Sequence, residues 1–520
     1  MALTVLTDEG CEFEIEPKQR DFVVALSDGR MMVARSHLYN PFVLALEARM
    51  KRKGKRVEKI PADLAGIRDI YMGRTRTIQD FTADTTRMMR EVEQLIKQAV
   101  SSNASDIHIR VRENVAEYWF RVRGDLLYRG EWTEEFGRAL MMTIYHAVAG
   151  EQSQAVFMEN QRQDARISSR DFLPDNVFGI RVATTPTSEG LLMVMRVLYA
   201  QQSGSGLEAL GFSENQRMLI DLMRGRPSGM NIIAGPTGSG KSTSLQQIMS
   251  SILKDSNRRL HVVTVEDPPE YPIDGAVQTP VTGGTQEERA RGFSAAIRAS
   301  LRIDPDVIMV GEIRDSASAQ AALEAAMTGH QVWSTLHASS AVAIIDRFID
   351  SLSGFGGKQV DLSVIADITT LSGLVFQRLI KNLCPNCSIP FTEALANRRP
   401  MPHGLEQRVL SVVDVSSANV RMPGDGCPTC NQMAYTGRTV VAEVILTDPT
   451  FLSLIRDRQK EDAIEYWRQT QGGITVTEHA IQKVAQGIID PVSAEAAVGP
   501  LNSDVLETRK ITSDKVKRMV

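Results

Sequence analysis

The segment that most constrains the fold of this chain is NIIAGPTGSGKSTSLQQIMSSIL at residues 231–253. It contains the pattern Gly-x-x-x-x-Gly-Lys-Ser at residues 235–242, between a short apolar run and a segment of helical pattern. Its glycines permit backbone conformations that turn successive N–H groups inward around a polyphosphate at a helix N-terminus. The pattern therefore predicts a strand, a phosphate-binding loop and a helix, in that order.

The side chains of the predicted loop have separate roles. Lys241 is expected to reach the β- and γ-phosphates of a nucleotide, and the Ser242 hydroxyl is expected to bind Mg²⁺. The alternative is a glycine-rich turn before a surface helix, which the strand-loop-helix context disfavours. The predicted nucleotide-binding residues are Gly235, Pro236, Thr237, Gly238, Ser239, Gly240, Lys241, Ser242 and Thr243.

Composition limits the class of protein. A chain of 520 residues is too long for one core and is expected to form about three or four domains. The formal net charge of -4 argues against a surface that grips nucleic acid throughout. No apolar run is long enough for a membrane span, and Asp8 and Glu9 interrupt any signal-peptide core. We therefore expect a cytoplasmic protein.

The region before the loop divides into two parts and a linker. Residues 1–80 are weakly patterned, with a hairpin predicted around Asp28-Gly29 and a basic run at residues 49–59. That run either contacts anionic lipid or a partner or, as we favour, forms a solvated face. Residues 81–200 combine amphipathic helices with alternating strands, which predicts a compact α+β unit. Residues 201–206 have linker composition.

Three arginines of the α+β unit are candidate anion ligands. Arg166, Arg181 and Arg196 are spaced fifteen residues apart, and two of them lie in strand-like runs where a charge needs a partner. They form either structural salt bridges or a set of guanidinium groups that are presented to phosphate.

Acidic residues end two apolar, strand-like runs downstream of the loop. One run ends at Glu266 and Asp267, and the next ends at Gly311 and Glu312. The carboxyl ends of parallel strands form the crevice where α/β folds bind ligands, so Glu266 and Asp267 are expected to face Mg²⁺ or water. Glu312 is the first candidate for polarising the attacking water. Because Gly311 replaces the aspartate common at this position, we expect metal contact through water or other acids.

Two histidines flank the next predicted strand. His330 precedes the run at residues 331–335, and His337 follows it. A lone histidine is usually structural. Both residues are nevertheless candidates to sense a γ-phosphate, and His337 is the stronger of the two.

Four boxes together resemble the secretion-ATPase family that powers type II secretion and type IV pilus assembly. They are GPTGSGKST in the loop, VTVEDPPEY at residues 263–271, DPDVIMVGEIRD at residues 304–315 and TGHQVWSTLH at residues 328–337. They occur in that family's order. The sequence departs from the family at Ala165, which stands where glycine is usual, and after His337, where Ala-Ser-Ser-Ala replaces Thr-Asn-Asp-Ala.

The resemblance implies an α/β fold with three domains. These are a small N-terminal, partner-docking domain at residues 1–80, a smaller α+β, PAS-like domain at 81–200, and a RecA-like P-loop ATPase domain at 207–520. The last includes a zinc-binding insert at 380–435 and a helical C-terminal part.

The resemblance also implies roles for the candidate site residues. Glu312 becomes the catalytic glutamate, with Glu266 and His337 as supporting residues. In that family, arginines of the N-terminal domain approach the γ-phosphate in a hexameric ring. Arg166, Arg181 and Arg196 match those arginines.

The cysteines form a CxxC…CxxC set. Each pair offers two thiolates to one tetrahedral ion, so structural Zn²⁺ is the favoured interpretation, and redox-active cysteines are the alternative. Within the family, this set resembles the assembly and secretion motors. The four residues are Cys384, Cys387, Cys427 and Cys430.

The leading hypothesis is a homohexameric ATPase that uses ATP, Mg²⁺ and structural Zn²⁺. It would act at the inner membrane, through a platform protein, in type IV pilus assembly or type II secretion. The alternatives are a conjugative type IV secretion ATPase, a nucleic-acid translocase and an ATP-binding scaffold that does not hydrolyse. No nucleic-acid partner is expected.

Overall fold

A computed structural model of the chain describes residues 4–8, 10–34, 37–38, 40–62, 67, 70–71, 78–148, 157–199, 206–281, 286–353 and 361–503. The chain divides into two compact units, Met1–Tyr199 and Ala200–Val520. Residues 201–205 of the expected linker lie outside the described residues, and Gly206 begins a helix. The finer division of the first unit at residue 80 stays a prediction.

In its described residues, the first unit has four α-helices and nine strands. The helices are α1 (Pro17–Arg20), α2 (Pro41–Arg52), α3 (Ile78–Ser101) and α4 (Glu134–Thr143), the last continued by a π-helical turn at Ile144–Val148. The strands are β1 (Val23–Ala25), β2 (Arg30–Ala34), β3 (Glu58–Ala62), β4 (Ala104–Arg112), β5 (Val115–Val122), β6 (Asp125–Trp132), β7 (Gln163–Ile167), β8 (Val177–Thr187) and β9 (Gly190–Tyr199).

These strands form two sheets. In a three-stranded sheet, β1 and β2 make the predicted antiparallel hairpin and β3 pairs parallel to β2. The basic run of residues 49–59 spans the end of α2 and the start of β3, and four of its lysines pair with Glu12 or Glu47. Those ion pairs support its interpretation as a solvated face.

The other sheet of the first unit has six antiparallel strands in the order β6-β5-β4-β9-β8-β7. Successive side chains of a strand point to opposite faces, and β4 buries Ile107, Ile109 and Val111 on one of them. Helices α3 and α4 pack against β4. The other face carries the polar residues that alternate with these apolar ones.

The part of the second unit that the structure describes has thirteen α-helices and nine strands. The helices are α5 (Gly206–Leu210), α6 (Glu214–Arg224), α7 (Lys241–Asp255), α8 (Gln286–Ser300), α9 (Ser316–Met327), α10 (Ala343–Ser353), α11 (Leu362–Ile365), α12 (Phe391–Ala396), α13 (Leu405–Val412), α14 (Pro449–Arg456), α15 (Lys460–Gln471), α16 (Val476–Ala485) and α17 (Pro491–Val498). The strands are β10 (Gly229–Ala234), β11 (Val262–Glu266), β12 (Val277–Pro280), β13 (Val307–Val310), β14 (Gln331–Leu336), β15 (Leu371–Leu383), β16 (Ile389–Pro390), β17 (Arg421–Met422) and β18 (Tyr435–Leu446).

The core of this unit is a seven-stranded sheet in the order β12-β11-β13-β14-β10-β15-β18. All neighbouring strands are parallel except β15 and β18, which are antiparallel. Strands β10, β11, β13 and β14 are buried along their whole length. Their nearly continuous apolar runs are typical of a parallel sheet that is covered on both faces.

The sequence of residues 207–225 predicts a single helix that leads into the first core strand, and the structure shows that this prediction is wrong. The chain forms α5, breaks, and begins α6 after Ser213, whose side chain caps the new helix at Gln216 N. Gly211 ends the first helix with φ of 104°, and a Cβ there would lie 2.0 Å from Oγ1 of Thr439. A positive φ and this close approach both require glycine, which fixes the break.

The C-terminal part is helical as predicted. The sequence predicts helices at residues 451–458 and 461–470. Helices α14 and α15 overlap these two segments, and α16 and α17 follow them. Residues 504–520 lie outside the described part of the chain. In the described ranges, no helix is both long enough and apolar enough to cross a membrane.

Candidate functional site

One edge of the parallel sheet carries the loop, Glu266, Glu312 and His337. Strands β11, β13, β14 and β10 are consecutive neighbours and run in the same direction, so their carboxyl ends meet at that edge. The loop of residues 235–240 follows β10, and Glu266 ends β11. Glu312 follows β13 and His337 follows β14. Parallel pairing thus brings part of each of the four boxes to one edge.

The loop has the backbone that a polyphosphate requires. Gly235, Gly238 and Gly240 have φ of 156°, 78° and 84°. A Cβ on Gly235 would lie 2.3 Å from the carbonyl oxygen of Gln377, so no larger residue fits. Gly240 begins α7 without a side-chain cap, which leaves the N–H groups of its first turn for another acceptor. These features fit nucleotide phosphates.

Lys241 lies folded over the loop. Its Nζ donates to the carbonyl oxygen of Gly235 at 2.9 Å and to that of Pro236 at 3.2 Å. Burial lowers the pKa of Lys241, and attraction to Glu312 and Glu270 opposes that change. Two loop carbonyl oxygens therefore hold the ammonium group beside the N-terminus of α7, and phosphate oxygens could replace them as its acceptors. Ser242 follows it in the first turn of α7, where its hydroxyl would hold Mg²⁺.

Gln377 supports the loop from the neighbouring strand β15. Its buried side chain donates from Nε2 to the carbonyl oxygen of Ser239 at 2.7 Å. No role for Gln377 was predicted from the sequence. The available signal was a polar residue within the apolar run of β15, where burial requires a hydrogen-bonding partner.

Glu312 is held by two donors. Nε2 of His337 lies 2.9 Å from Oε1 of Glu312, and Nε of Arg314 donates to Oε2 at 2.6 Å. Arg314 also donates from NH1 to Oδ2 of Asp267 at 3.2 Å. No sequence pattern singled out Arg314, although it lies in the third box. These contacts fix the carboxylate of Glu312 between the ends of β14 and β11.

Glu266 differs from Glu312 in its environment. It is buried, and its Oε1 accepts from Oγ1 of Thr264 at 2.8 Å and from Nε2 of Gln278 at 2.9 Å. Burial raises the pKa of Glu266, and these two hydrogen bonds oppose that effect. Glu266 is therefore restrained within the sheet, whereas the carboxylate of Glu312 is partly exposed.

Gly311 and His330 are two further positions at the ends of these strands. Gly311 donates to the carbonyl oxygen of Val265 at 2.9 Å, and a Cβ there would lie 3.3 Å from the same oxygen. A side chain at residue 311 would thus crowd β11. His330 precedes β14, at the opposite end of the strand from His337, with its Nδ1 near Thr328 and Ala325. The structure does not bring His330 to the edge where the loop lies.

The arginines of the first unit form a row across its six-stranded sheet. Arg166 pairs in register with Arg181, Arg181 with Arg196, and Arg196 with Asp106, whose other neighbour is Arg121. All five side chains therefore share the face opposite Ile107. Nε of Arg196 lies 3.0 Å from Oδ1 of Asp106. Strand pairing, which the spacing of fifteen residues did not reveal, brings the three predicted arginines together.

The four cysteines lie together, as the spacing of the two pairs predicted. Their sulfur atoms are all within 4.8 Å of one another, with separations of 3.6 to 3.8 Å for three pairs. A tetrahedral ion with bonds of about 2.3 Å places its sulfur ligands about 3.8 Å apart. Among the described residues, this is the one group of histidines, cysteines and acids with such geometry. The set therefore fits Zn²⁺.

The charges around the sulfurs also suit a cation. Burial opposes ionisation of Cys430, but the N–H groups of Cys427 and Ala434, each 3.2 Å from its Sγ, lower its pKa to about 6. Burial and the three neighbouring sulfurs raise the pKa of the Cys387 thiol to about 12. A divalent ion removes the repulsion that a set of thiolates creates.

Comparison with known proteins agrees with the boxes. The model of the family described as "Type II/IV secretion system protein" matches residues 82–505. Type II secretion system protein E of Pseudomonas aeruginosa is 31% identical over 465 residues, which cover 88% of this chain and 86% of that protein. Type II secretion system ATPase E of Vibrio cholerae is 34% identical over 410 residues, covering 78% of this chain and 74% of that protein. The type IV pilus assembly ATPase PilB of Thermus thermophilus is 32% identical over 406 residues, which cover 78% of this chain and 42% of that protein.

Solved structures give the same fold. The ATPase DotB of Legionella pneumophila matches with a TM-score of 0.54 and 21% identity, covering 77% of this chain and 93% of that one. The pilus retraction motor PilT with bound ADP matches with a TM-score of 0.52 and 24% identity, covering 78% of this chain and 96% of that one. At these identities the likeness concerns the fold alone. It confirms the predicted α/β, RecA-like fold class.

Proposed function

Because the chain belongs to the type II/IV secretion system protein family, we propose that it is a motor that hydrolyses ATP to power type IV pilus assembly or type II secretion. One observation carries the proposal: the loop, Glu266, Glu312 and His337 all lie at the carboxyl edge of neighbouring parallel strands. The names of the relatives from Vibrio cholerae and Thermus thermophilus, both ATPases, support it.

The loop and α7 bind the nucleotide in this proposal. The N–H groups of residues 235–243 surround the phosphates, and Lys241 exchanges its contacts with the loop carbonyls for phosphate oxygens. Gln377 keeps the loop in shape through Ser239. Mg²⁺, when held by Ser242, supplies positive charge to the β- and γ-phosphates.

Glu312 orients the attacking water. Its carboxylate is anchored by His337 and Arg314 and still has lone pairs that accept from a water molecule. Catalysis of phosphoryl transfer rests mainly on positioning and charge, which this arrangement supplies. Glu266 supports the edge of the sheet. His337 follows β14, which pairs with β10, the strand that leads into the loop. In this proposal, the position of His337 responds to the nucleotide in the loop.

The first unit contributes arginines to this chemistry. Arg166, Arg181 and Arg196 form a row on one sheet face, and guanidinium groups suit the charge that develops on a transferring phosphate. We propose that the row meets the nucleotide in a homohexameric ring. Hydrolysis then depends on the position of the first unit, as a motor requires.

The remaining proposals concern the surroundings of the motor. The four cysteines bind Zn²⁺ and thereby close the segment between β15 and β18. The protein acts in the cytoplasm at the inner membrane, through a platform protein that docks to residues 1–80. Nucleic acid is not a partner, in agreement with the net charge of -4.

The test is steady-state hydrolysis of ATP by the full chain with Mg²⁺, with and without DNA or RNA at low salt. The proposal expects turnover in the wild type, its loss in Lys241→Ala, and no stimulation by either nucleic acid. Turnover that requires DNA or RNA would support a translocase instead. A well-folded wild type that binds ATP without any turnover would support the scaffold.

A further inference from the structure

Glu443 lies on β18 at a position where two other elements meet. Its side chain is buried, with 8% exposure. Oε2 accepts from the N–H of Ala341 at 2.8 Å, and Oε1 accepts from the N–H of Val476 at 3.3 Å. Each oxygen of one carboxylate therefore holds a different part of the chain.

One of these parts is the connection after the site histidine. Ala341 lies four residues after His337, just before α10 begins at Ala343. Its N–H is fixed by Glu443, and Ser340 accepts from the N–H of Ala343 at 3.2 Å. The segment from His337 to Ala341 is therefore held at one end by Glu312 and at the other by Glu443.

The other part is the N-terminus of α16. Val476 is the first residue of this helix, and a carboxylate is favourable beside the N–H groups there. Further contacts follow at helical spacing. The N–H of Ala442 donates to Nδ1 of His479 at 3.1 Å, and Nζ of Lys483 donates to Oγ1 of Thr439 at 2.8 Å. One face of α16 is thus fastened along β18.

We infer that Glu443 is a positioning residue for His337: it ties the segment after β14 to α16, so that the C-terminal helices set where the histidine lies. The inference rests on the proposed hydrolysis of ATP. It requires a carboxylate, because both oxygens accept from N–H groups. A glutamine offers one acceptor, and its amide group would face one of these donors.

The first test compares Glu443→Gln with a matched control, Asp490→Asn. Asp490 is also buried; it accepts from the N–H of Ser493 in α17 and from the hydroxyl of Tyr435 on β18. Like Glu443, Asp490 thus joins β18 to a C-terminal helix, but these two hydrogen bonds do not involve the segment after His337. Thermal unfolding and the kcat and KM for ATP are measured on the full-length proteins.

We expect kcat to fall by about tenfold or more in Glu443→Gln while KM stays within about twofold, since small displacements of a site group act on the chemical step. Asp490→Asn is expected to lower the unfolding temperature similarly and to keep its kcat. Equal kcat losses in the two variants, or a normal kcat in Glu443→Gln, would overturn the inference.

A second variant keeps the test decisive if Glu443→Gln does not fold. Val476→Pro removes the N–H that binds Glu443 and also replaces a side chain that is partly buried against the core. Proline is tolerated at the first position of a helix. The preceding Thr475 has φ of -71° and ψ of 163°, which suits a residue before proline. Glu214→Pro, at the first position of α6, is its control.

Val476→Pro is expected to lower kcat without changing KM, and Glu214→Pro to change neither. Equal kcat in the two proline variants contradicts the link through Glu443. The failures are distinguishable: a wild type without turnover defeats the proposed function, whereas an active wild type with unaffected variants defeats this inference alone.

Discussion

Nε2 of His337 lies 2.9 Å from Oε1 of Glu312, and the two residues follow the neighbouring parallel strands β14 and β13. His330 lies at the other end of β14, where its Nδ1 is 3.3 Å from the carbonyl oxygen of Ala325. The length of one strand therefore separates the two candidate histidines. Only His337 contacts the carboxylate that the proposed function assigns to catalysis.

His337→Ala is expected to lower kcat for ATP by about tenfold, because Glu312 loses one of its two anchoring donors. KM should change little, since the nucleotide-binding loop is untouched. His330→Ala is the matched control, and steady-state kinetics on both variants are the measurement. Equal kcat losses in the two variants would show that the contact with Glu312 has no role in hydrolysis.

Gly235→Ala is expected to abolish binding of ATP, because the new Cβ would lie 2.3 Å from the carbonyl oxygen of Gln377 and force the loop to move. Gly238→Ala meets no atom within 4 Å and incurs only the strain of φ at 78°, about 1–2 kcal/mol. Titration with a fluorescent ATP analogue compares the two. A weaker effect at residue 235 than at 238 would contradict the described loop.

Substitution of Arg166, Arg181 or Arg196 by alanine is expected to lower kcat by about tenfold or more, as for other arginines that stabilise phosphoryl transfer. Arg110 lies on the same sheet face, two rows from Asp106, and Arg110→Ala serves as the control. Wild-type kcat in all three variants would leave the row with a structural role only.

Cys430→Ser is expected to reduce zinc from about one ion per chain to almost none, because a structural site needs all four ligands. The unfolding temperature should fall as well, since metal binding contributes to the stability of the segment between β15 and β18. Elemental analysis and thermal unfolding are the measurements, and Cys11→Ser is the control. Purified wild type without zinc and with four reduced thiols would contradict the metal site.

Much of the site could be predicted because its signals are local in sequence. The loop pattern fixes its own backbone, and an acid or a histidine directly after an apolar strand must lie at the carboxyl edge of a parallel sheet. Glu266, Glu312 and His337 were found on that basis, and their placement agrees with it. The spacing of the cysteine pairs is likewise local in sequence, and it predicted that the four sulfur atoms lie together.

The rest depends on pairing between distant segments, which no local pattern encodes. Arg181 and Arg196 are register partners because β8 and β9 are antiparallel, and their separation in sequence is incidental. Glu443 has no motif that reveals its two N–H donors, since Ala341 and Val476 come from elements far away in sequence. The contact of Gln377 with Ser239 likewise joins two segments that are distant in sequence.

The most direct test of the proposed mechanism is the turnover of Glu312→Gln. The amide keeps the size of the side chain but cannot orient water as a carboxylate does, so kcat is expected to fall by about a hundredfold or more with binding of ATP retained. Glu324→Gln, on the exposed side of α9, is the control and should keep wild-type turnover. Equal kcat for the wild type and Glu312→Gln would contradict the assignment of Glu312 as the residue that polarises water.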